Sequence, residues 1–276
     1  MGRLQGSLSS LSAADLGGFA IAGALERSGV QPTDIDYVVL GQVLQAGSGQ
    51  NAARQAAIAG GLGMAIPALT INKVCLSGID AIALADQMIR AGEFDAVVAG
   101  GMESMSQAPH LLIGSREGKK YGDWTMIDAL AFDGLTCAFD ECAMGEATER
   151  YNDRYALTRQ EQDAVAEASH RRAAAAQSVG ILAEEITPVR IPQRKGDDIV
   201  VTDDEGIRAE TTAESLGRLR PAFAPEGTIT AGNASQISDG AAALVVTSRA
   251  AAERLERTPM AFLGSHGVVA GPDPSR

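Results

Sequence analysis

The sequence predicts an α/β fold in which helices cover a parallel sheet. Short apolar runs of strand length alternate with longer Ala- and Leu-rich runs of helical length, and the links between them are short. Parallel strands cannot be joined by a tight hairpin, so such links indicate helical crossovers between parallel neighbours. Glycine is frequent, at 31 residues, and aromatic residues make up only 4% of the chain. This composition favours tight turns and a core of Ala, Val, Leu, Ile and Met.

Helix and strand signals alternate through the N-terminal part of the chain. Helices are predicted over residues 12–28, 51–59 and 76–91, and strands over residues 36–40, 67–72 and 96–99. Ser12 and Asp15 have the spacing of a capping box at the start of the first helix, and Gly29 ends that helix. Residues 1–106 are therefore predicted to form an N-terminal α/β core.

The middle of the chain has denser charges and fewer strand signals. Two helices are predicted there, over residues 144–155 and 158–180, and the charged stretch 194–214 is predicted to lie on a surface. We interpret residues 107–227 as a domain inserted into the α/β core.

Residues 228–276 again have the apolar runs of strand and helix length that characterise the predicted core. The predicted elements are a Gly-, Ser- and Asp-rich loop, a strand over 242–246, a helix from about Arg249 and the start of another strand at 262–264.

Charge and apolar patterning exclude several function classes. The net charge of −12 disfavours a nucleic-acid partner, because phosphate backbones are bound by basic surfaces. The longest apolar runs are of strand length, which indicates neither a signal peptide nor a membrane span. Three cysteines do not form a disulfide framework, so we expect the reducing cytoplasm.

Cys75 is the first candidate for chemistry. It lies between a predicted strand that ends at Asn72 and a predicted helix that begins near Leu76. The free N–H groups and partial positive charge of a helix N-terminus favour a reactive thiolate. The same N–H groups can stabilise the oxyanion that forms when a thiolate attacks a carbonyl. A lone cysteine is more commonly inert and buried, and position alone leaves both roles open.

The other candidates are weaker. Cys137 and Cys142 have no second Cys or His pair beside them, so no metal site is predicted. The three histidines, His110, His170 and His266, are interpreted as hydrogen-bonded or solvated side chains rather than catalytic bases. No dinucleotide fingerprint or phosphate-binding loop is present in the sequence.

Several blocks of the sequence resemble those of the thiolase family and occur in the same order. The block Asn72-Lys73-Val74-Cys75-Leu76-Ser77-Gly78 resembles the family's nucleophile segment. The further blocks are Gly41-Gln42-Val43-Leu44, Gly49-Gln50-Asn51-Ala52-Ala53-Arg54-Gln55, Ala99-Gly100-Gly101-Met102-Glu103-Ser104-Met105-Ser106, Leu219-Arg220-Pro221-Ala222-Phe223, Thr228-Ile229-Thr230-Ala231-Gly232-Asn233-Ala234-Ser235 and Ser238-Asp239-Gly240-Ala241-Ala242. The resemblance extends from about Arg3 to Asp273, and it identifies Cys75 as the nucleophile.

The resemblance implies reversible condensation and thiolysis between acetyl-CoA and 3-ketoacyl-CoA through an acyl thioester on Cys75. It implies a layered α/β/α/β/α architecture with an inserted loop domain that binds CoA. Coenzyme A is then a substrate, with no permanently bound cofactor. We also expect no membrane partner, a homo-oligomer (a dimer or a tetramer) and a role in fatty acid metabolism.

The resemblance also assigns the CoA site, residue by residue. The side chains expected to line the tunnel for the pantetheine arm are Leu135, Met144, Phe223, Ala231 and Ser235. Arg208 and Ser215 are expected at the nucleotide end of CoA, where a cation suits the phosphates.

The sequence departs from the family's pattern in two places. Ala143 stands where many biosynthetic thiolases have a histidine that contacts CoA through water. The blocks also suggest truncation at both ends, with an incomplete second half after residue 228. A Gly-His-Pro histidine and a Cys-x-Gly-Gly-Gly cysteine, which transfer protons in the family, are absent from this sequence. The resemblance therefore leaves the activity of this chain open.

Two alternatives stay open beside the acyltransferase hypothesis. The chain can be a non-catalytic fragment that binds CoA or a partner subunit, or a ketoacyl synthase, which shares the fold and the cysteine nucleophile. Ketoacyl synthases usually lack the inserted CoA-binding domain and the loop that resembles Ala231 to Ser235. The sequence does not determine acyl chain length or metabolic direction.

Overall fold

The computed structural model of the chain describes residues 1–270, apart from the side chain of Asp153. Its α-helices are α1 (Ala13–Ser28), α2 (Ala52–Ala59), α3 (Ser77–Arg90), α4 (Met144–Tyr155), α5 (Arg159–Ser178), α6 (Ile181–Glu185), α7 (Ala213–Gly217) and α8 (Arg249–Arg254). Its strands are β1 (Gly2–Arg3), β2 (Tyr37–Gly41), β3 (Ala68–Ile71), β4 (Ala96–Ser104), β5 (His110–Leu111), β6 (Ile127–Asp128), β7 (Val189–Ile191), β8 (Ile199–Val201) and β9 (Ser238–Thr247). Residues 271–276 lie outside the described residues. They include the last three residues of the stretch that resembles thiolases, which ends at Asp273, and the end of the predicted domain 228–276.

The chain forms two compact units. We call Ser9–Pro109 together with the residues from Asp239 onward the core unit, and Met1–Leu8 together with His110–Ser238 the insert unit. The predicted division into residues 1–106, 107–227 and 228–276 stays a prediction about domains.

The sheet of the core unit contains both parallel and antiparallel neighbours. Its strands include the order β9-β4-β2-β3, in which β2 pairs parallel with β3 and with β4. The α/β fold with a parallel-containing sheet is thus confirmed. However, β9 runs antiparallel to β4 along its length, from Ala96↔Thr247 to Ser104↔Asp239. A wholly parallel sheet was wrong for β9, because no single helical crossover connects it to β4 and fixes its direction.

Apolar side chains cover both faces of this sheet. Val38 and Val98 face a cluster with α1 and α2, where Ile21 is fully buried. Val39 and Val97 face the opposite cluster, which includes Ala81 of α3. Successive strand residues point to opposite faces, so a strand covered on both sides is apolar throughout.

The predicted elements of the core unit are confirmed with one exception. Ser12 and Asp15 form the predicted capping box, and Gly29 ends α1 in the left-handed conformation. The strand predicted to start at 262–264 is wrong, because residues 261–270 have no strand pairing. The guanidinium of Arg249 instead lies over the ring of Phe262, with Arg249 Cζ 5.2 Å from the ring centroid. A strand requires a hydrogen-bonded neighbour, which local sequence cannot provide.

The insert unit consists of helices and two short antiparallel pairs, β5 with β6 and β7 with β8. The predicted helix over 144–155 is confirmed at both ends as α4. The second predicted helix is confirmed as α5, which starts after a capping box of Thr158 and Glu161. The pair β7–β8 overlaps the start of the charged stretch 194–214.

Candidate active site

Cys75 lies on the turn between β3 and α3, and its side chain is exposed. The next residue, Leu76, is the N-cap of α3, and no side chain caps the first turn of this helix. The predicted strand-to-helix position of Cys75 is confirmed. An exposed thiol beside uncapped helical N–H groups is suited to attack a carbonyl carbon and to stabilise the charge that develops on its oxygen.

The backbone of this turn is held by the side chains that flank it. Val74 has a positive φ of 51°, which is unfavourable for a β-branched residue. Its N–H donates to Asn72 Oδ1 at 2.9 Å, and its carbonyl accepts from Ser77 Oγ at 2.6 Å. The ion pair from Lys73 Nζ to Asp80 Oδ1, at 2.6 Å, joins the turn to the first turn of α3. These contacts hold the backbone of the turn on both sides of Cys75.

The turn approaches the sheet closely at Gly41, the last residue of β2. A Cβ atom at Gly41 would lie 2.5 Å from Ser77 Cβ and 2.9 Å from the backbone nitrogen of Gly78. No larger residue fits there without moving α3, because both atoms belong to its first turn. Sequence reasoning used Gly41 only as part of a motif and missed this packing role.

Glu103 is an acidic residue at the same end of the sheet as Gly41. Glu103, on β4, accepts the N–H of Val43 at 2.8 Å and the N–H of Leu44 at 3.2 Å. Burial raises the pKa of Glu103 above its usual value, and these two hydrogen bonds offset only part of the rise. Asn72 Nδ2 donates to the carbonyl of Val43 at 3.4 Å. Glu103 therefore holds the segment at Val43 and Leu44, which contacts the turn of Cys75 through Asn72, and sequence reasoning did not assign this role.

All seven residues predicted to bind CoA belong to the insert unit, whereas Cys75 belongs to the core unit. Met144 starts α4, and the Phe223 side chain packs over the adjacent Gly145, where a Cβ would lie 2.3 Å from Phe223 Cε2. Met144 and Phe223 are both exposed, and Leu135 is partly buried at the end of the π-helical segment Leu130–Leu135. Phe223 therefore lies against the first turn of α4, and both Phe223 and Met144 expose apolar surface.

Arg208 and Ser215 are both exposed. The backbone N–H of Arg208 donates to His170 Nδ1 at 3.2 Å, and within residues 1–270 its guanidinium forms no ion pair. Ser215 forms the capping box of α7 with Thr212, so its hydroxyl is already engaged with that backbone.

The loop that contains Ala231 and Ser235 is exposed at both residues but anchored just before them. Glu149 on α4 accepts the N–H groups of Thr228 and Ile229 at 2.9 and 2.8 Å. Burial alone would raise the pKa of Glu149, but these hydrogen bonds outweigh burial and hold it below the usual value. The loop therefore has a defined shape set from within the insert unit.

A second carboxylate anchors the same loop from α5. Asp163 accepts from Asn233 Nδ2 at 2.9 Å and forms an ion pair with Arg159 Nε at 2.7 Å. Arg159 also donates to the carbonyls of Leu216 and Leu219 at 2.6 and 3.1 Å, next to α7. Glu149 and Asp163 were not singled out from the sequence, although buried carboxylates facing a Gly-rich loop are a recognisable pattern in three dimensions.

Two of the histidines are hydrogen-bonded side chains. His170 accepts the hydrogen bond from Arg208, and His266 Nε2 lies 3.1 Å from Asp86 Oδ2. Within residues 1–270, no group of three or more His, Cys, Asp or Glu side chains is arranged to hold a metal ion. No helix in the same range is long and apolar enough to cross a membrane.

The site combines an α/β sheet with an exposed cysteine at the start of a helix, and such a site is suited to covalent chemistry at sulfur. Residues 1–250 match the family model for the N-terminal domain of thiolases. The chain belongs to the thiolase family.

Its curated relatives have consistent names. A probable acetyl-CoA acetyltransferase of Mycolicibacterium smegmatis is 61% identical over 273 residues, which cover 99% of this chain and 70% of the relative. An acetyl-CoA acetyltransferase of Thiocystis violacea is 51% identical over 275 residues, with coverage of 100% and 70%. A probable acetyl-CoA acyltransferase of Staphylococcus aureus is 49% identical over 278 residues, with coverage of 100% and 70%.

Proposed function

We propose that the protein is an acetyl-CoA C-acetyltransferase that transfers acyl groups reversibly between CoA thioesters through a thioester on Cys75. The exposed position of Cys75 on the β3–α3 turn is the observation that carries the proposal. Membership of the thiolase family and the names of the relatives support the same reaction class.

The chemistry of the first half-reaction follows from the turn. The Cys75 thiolate attacks the carbonyl carbon of an acyl-CoA, and the negative charge moves to the carbonyl oxygen. N–H groups at the start of α3 are suited to stabilise this oxyanion. When the substrate is acetyl-CoA, collapse of the intermediate forms the Cys75 thioester and releases CoA as its thiolate. When a 3-ketoacyl-CoA is cleaved, the attacked carbonyl is the 3-keto group, the bond between C2 and C3 breaks, and acetyl-CoA leaves as its enolate and takes up a proton. The acyl group then passes to the second substrate, and the thiolate of Cys75 is restored.

We further propose that CoA is bound by the insert unit as a substrate and not as a resident cofactor. The tunnel residues are Leu135, Met144, Phe223, Ala231 and Ser235. The exposed apolar side chains of Met144 and Phe223 suit the pantetheine arm, and the exposed guanidinium of Arg208 suits the phosphates. Ser215 would contact the nucleotide through whatever hydrogen-bonding capacity remains beside its capping role.

Three broader features complete the proposal. The protein works in the cytoplasm, it assembles as a homo-oligomer of two or four subunits, and it serves fatty acid metabolism. The reducing character of the cytoplasm suits three free thiols, one of which must remain available for acyl transfer.

Acetylation of Cys75 tests the proposal directly. The full chain is incubated with acetyl-CoA, quenched in acid and digested with trypsin. We expect one acetyl group on the peptide of residues 74–90, and we expect its amount to fall when free CoA is added because the step is reversible.

Two serine variants serve as matched controls. Cys75→Ser should remove the acetylated species, because a serine hydroxyl at this turn is not ionised. Cys137→Ser should leave the acetylation of residues 74–90 unchanged. Acetyl groups distributed over several cysteines, or an undiminished signal in Cys75→Ser, would contradict the proposed nucleophile.

A further inference from the structure

A short hairpin joins the segment Leu130–Leu135 to α4 and places two cysteines opposite each other. Thr136 pairs antiparallel with Ala143. One step further into the hairpin, the N–H of Cys137 donates to the carbonyl of Cys142 at 2.8 Å. The two cysteines are therefore direct cross-strand partners, although they are separated by four residues of turn.

The turn between them is tightly bonded. The N–H of Glu141 donates to the carbonyl of Cys137 at 2.9 Å, and Glu141 has a positive φ of 51°. The N–H of Asp140 donates to Cys137 Sγ at 3.4 Å. Glu141 is the last of the four turn residues, and the register of Thr136 with Ala143 continues without interruption to Cys137 and Cys142. The hydrogen bond to sulfur holds Cys137 Sγ over the turn.

The Cα separation typical of cross-strand partners lies within the range that disulfides span. Hydrogen-bonded cross-strand partners have Cα atoms about 5.5 Å apart, and disulfides join Cα atoms about 4.4–6.8 Å apart. Both thiols are free in the structure. Cys137 is partly exposed, whereas Cys142 is 7% exposed. One thiol is thus accessible to a reagent, and the other is shielded from solvent.

We propose that Cys137 and Cys142 are a redox-active dithiol that closes to an intramolecular disulfide by exchange with a small-molecule disulfide such as glutathione disulfide. The Cys137 thiolate attacks one sulfur of the reagent, whose S–S bond breaks and releases one thiolate. The Cys142 thiolate then attacks Cys137 Sγ, and the second reagent thiolate leaves. Two protein thiols are oxidised, one reagent disulfide is reduced, and the two protons pass to the two released thiols.

Cys75 lacks this chemistry, although it is the most exposed of the three. The cysteines of the chain are at 75, 137 and 142, and the two that share the hairpin belong to the insert unit. Under the same treatment, Cys75 can accept a reagent molecule as a mixed disulfide but has no partner thiol in its own unit to release it.

The bond would have a local consequence that rests on the proposed function. The hairpin connects Leu135 to Met144, which are both proposed to line the pantetheine tunnel. A disulfide across Cys137 and Cys142 fixes the spacing of the two ends of the hairpin, and Leu135 and Met144 lie directly beyond these ends. Closure of this disulfide should then change the affinity for CoA.

Mass spectrometry of the oxidised full chain tests the dithiol. Glutathione disulfide is added, free thiols are blocked with iodoacetamide, and the chain is digested with trypsin. Residues 121–150 form one peptide that contains both cysteines, and residues 74–90 form another that contains Cys75. We expect the first peptide to lose two hydrogen atoms and to carry no iodoacetamide adduct, and to return to two adducts after reduction.

Serine variants separate the two steps of the exchange. In Cys142→Ser, glutathione should stay on Cys137, at least about tenfold more than in the unaltered chain, because neighbouring thiols exchange at a high effective concentration. In Cys137→Ser, the shielded Cys142 should remain largely unmodified. Circular dichroism verifies that both variants are folded.

Two outcomes would overturn the proposal. One is stable glutathione on both cysteines of the unaltered chain, and the other is full alkylation of both after oxidation. Binding of CoA to the reduced and oxidised chain, measured by calorimetry, tests the consequence separately. A disulfide that forms without any change in CoA affinity supports the dithiol and contradicts the proposed tunnel role of Leu135 and Met144.

Discussion

The core unit and the insert unit are stabilised by different physical means. The core unit buries apolar side chains on both faces of its sheet, and Ile21, Val38 and Val97 have no exposed surface. Among the described residues of the insert unit, the buried apolar side chains are few, namely Leu8, Ala129, Cys142, Ile191, Leu216 and Ile229. Its loops are instead held by carboxylates that accept several hydrogen bonds each, such as Glu149 and Asp163.

This difference suits the tasks proposed above for the two units. A nucleophile needs a rigid position, and close packing of a sheet against α3 provides one at Gly41 and Ser77. A surface that binds a long flexible ligand can remain open if its loops are held by directed hydrogen bonds. The cost is that charged groups then determine the stability of the insert unit, so the two units should respond differently to mutation and to pH.

The largest effect is expected from a cavity in the core unit. Ile21→Ala should destabilise the protein by about 2–5 kcal/mol, because it removes buried methyl groups and leaves a space that the sheet cannot fill. The matched control is Ile79→Ala, since Ile79 is 70% exposed. Chemical denaturation gives the free energy of unfolding for each variant. Equal losses would contradict the claim that apolar burial stabilises this unit.

A smaller, local effect is expected at Glu149. Glu149→Gln should cost about 1.5–3 kcal/mol, because hydrogen bonds to an ionised acceptor are lost or weakened. Hydrogen exchange should accelerate at the amides of Thr228 and Ile229 and stay unchanged in β2 and β4. Glu146→Gln, on the same helix but exposed, is the control. Faster exchange throughout the core unit would show that the effect is not local.

The pH dependence should have opposite signs at Glu149 and Glu103. The pKa of Glu149 is lowered in the folded protein. Its contribution to stability is therefore complete above the ordinary glutamate pKa of about 4.3 and is lost as the pH falls through the folded pKa. The pKa of Glu103 is raised. The folded state then binds the proton more tightly, so the contribution of Glu103 falls as the pH rises from the ordinary value through the raised one.

Variants isolate these two terms from the other titrating groups. Unfolding is measured against pH for the unaltered chain, Glu149→Gln and Glu103→Gln. The stability of the unaltered chain relative to Glu149→Gln should rise as the pH increases from acid. Its stability relative to Glu103→Gln should fall as the pH increases. Slopes of the same sign against pH would contradict the two environments described for these carboxylates.

The smallest effect is expected at an exposed ion pair of the insert unit. Glu214 pairs with Arg218 one turn further along, and the two side chains are 79% and 74% exposed. Glu214→Gln should change stability by no more than about 0.5 kcal/mol, because water screens such pairs. A thermal melt at low and high salt checks this value. A loss as large as that of Glu149→Gln would mean that charge alone, rather than buried hydrogen bonding, stabilises the insert unit.

Much of the fold was predictable because its signals are local. The capping box at Ser12 and the left-handed Gly29 define α1 from neighbouring residues alone. The helix α4 has the bounds predicted for it, and the turn that carries Cys75 lies where strand and helix signals meet. The direction of β9 and the absence of strand pairing at 262–264 were not predictable, since both depend on residues distant in the sequence.

The sequence by itself determined the order of the core elements, the turn of Cys75 and the membership of the thiolase family. Periodicity, caps and motifs act over a few residues, so they can be read without knowing which segments meet. Only the tertiary structure decided that Glu149 holds the loop at Thr228, that the partly buried Glu103 accepts the N–H of Val43, and that Cys137 faces Cys142. Burial and hydrogen-bond partners depend on contacts across the fold, and these contacts change what a carboxylate or a thiol does.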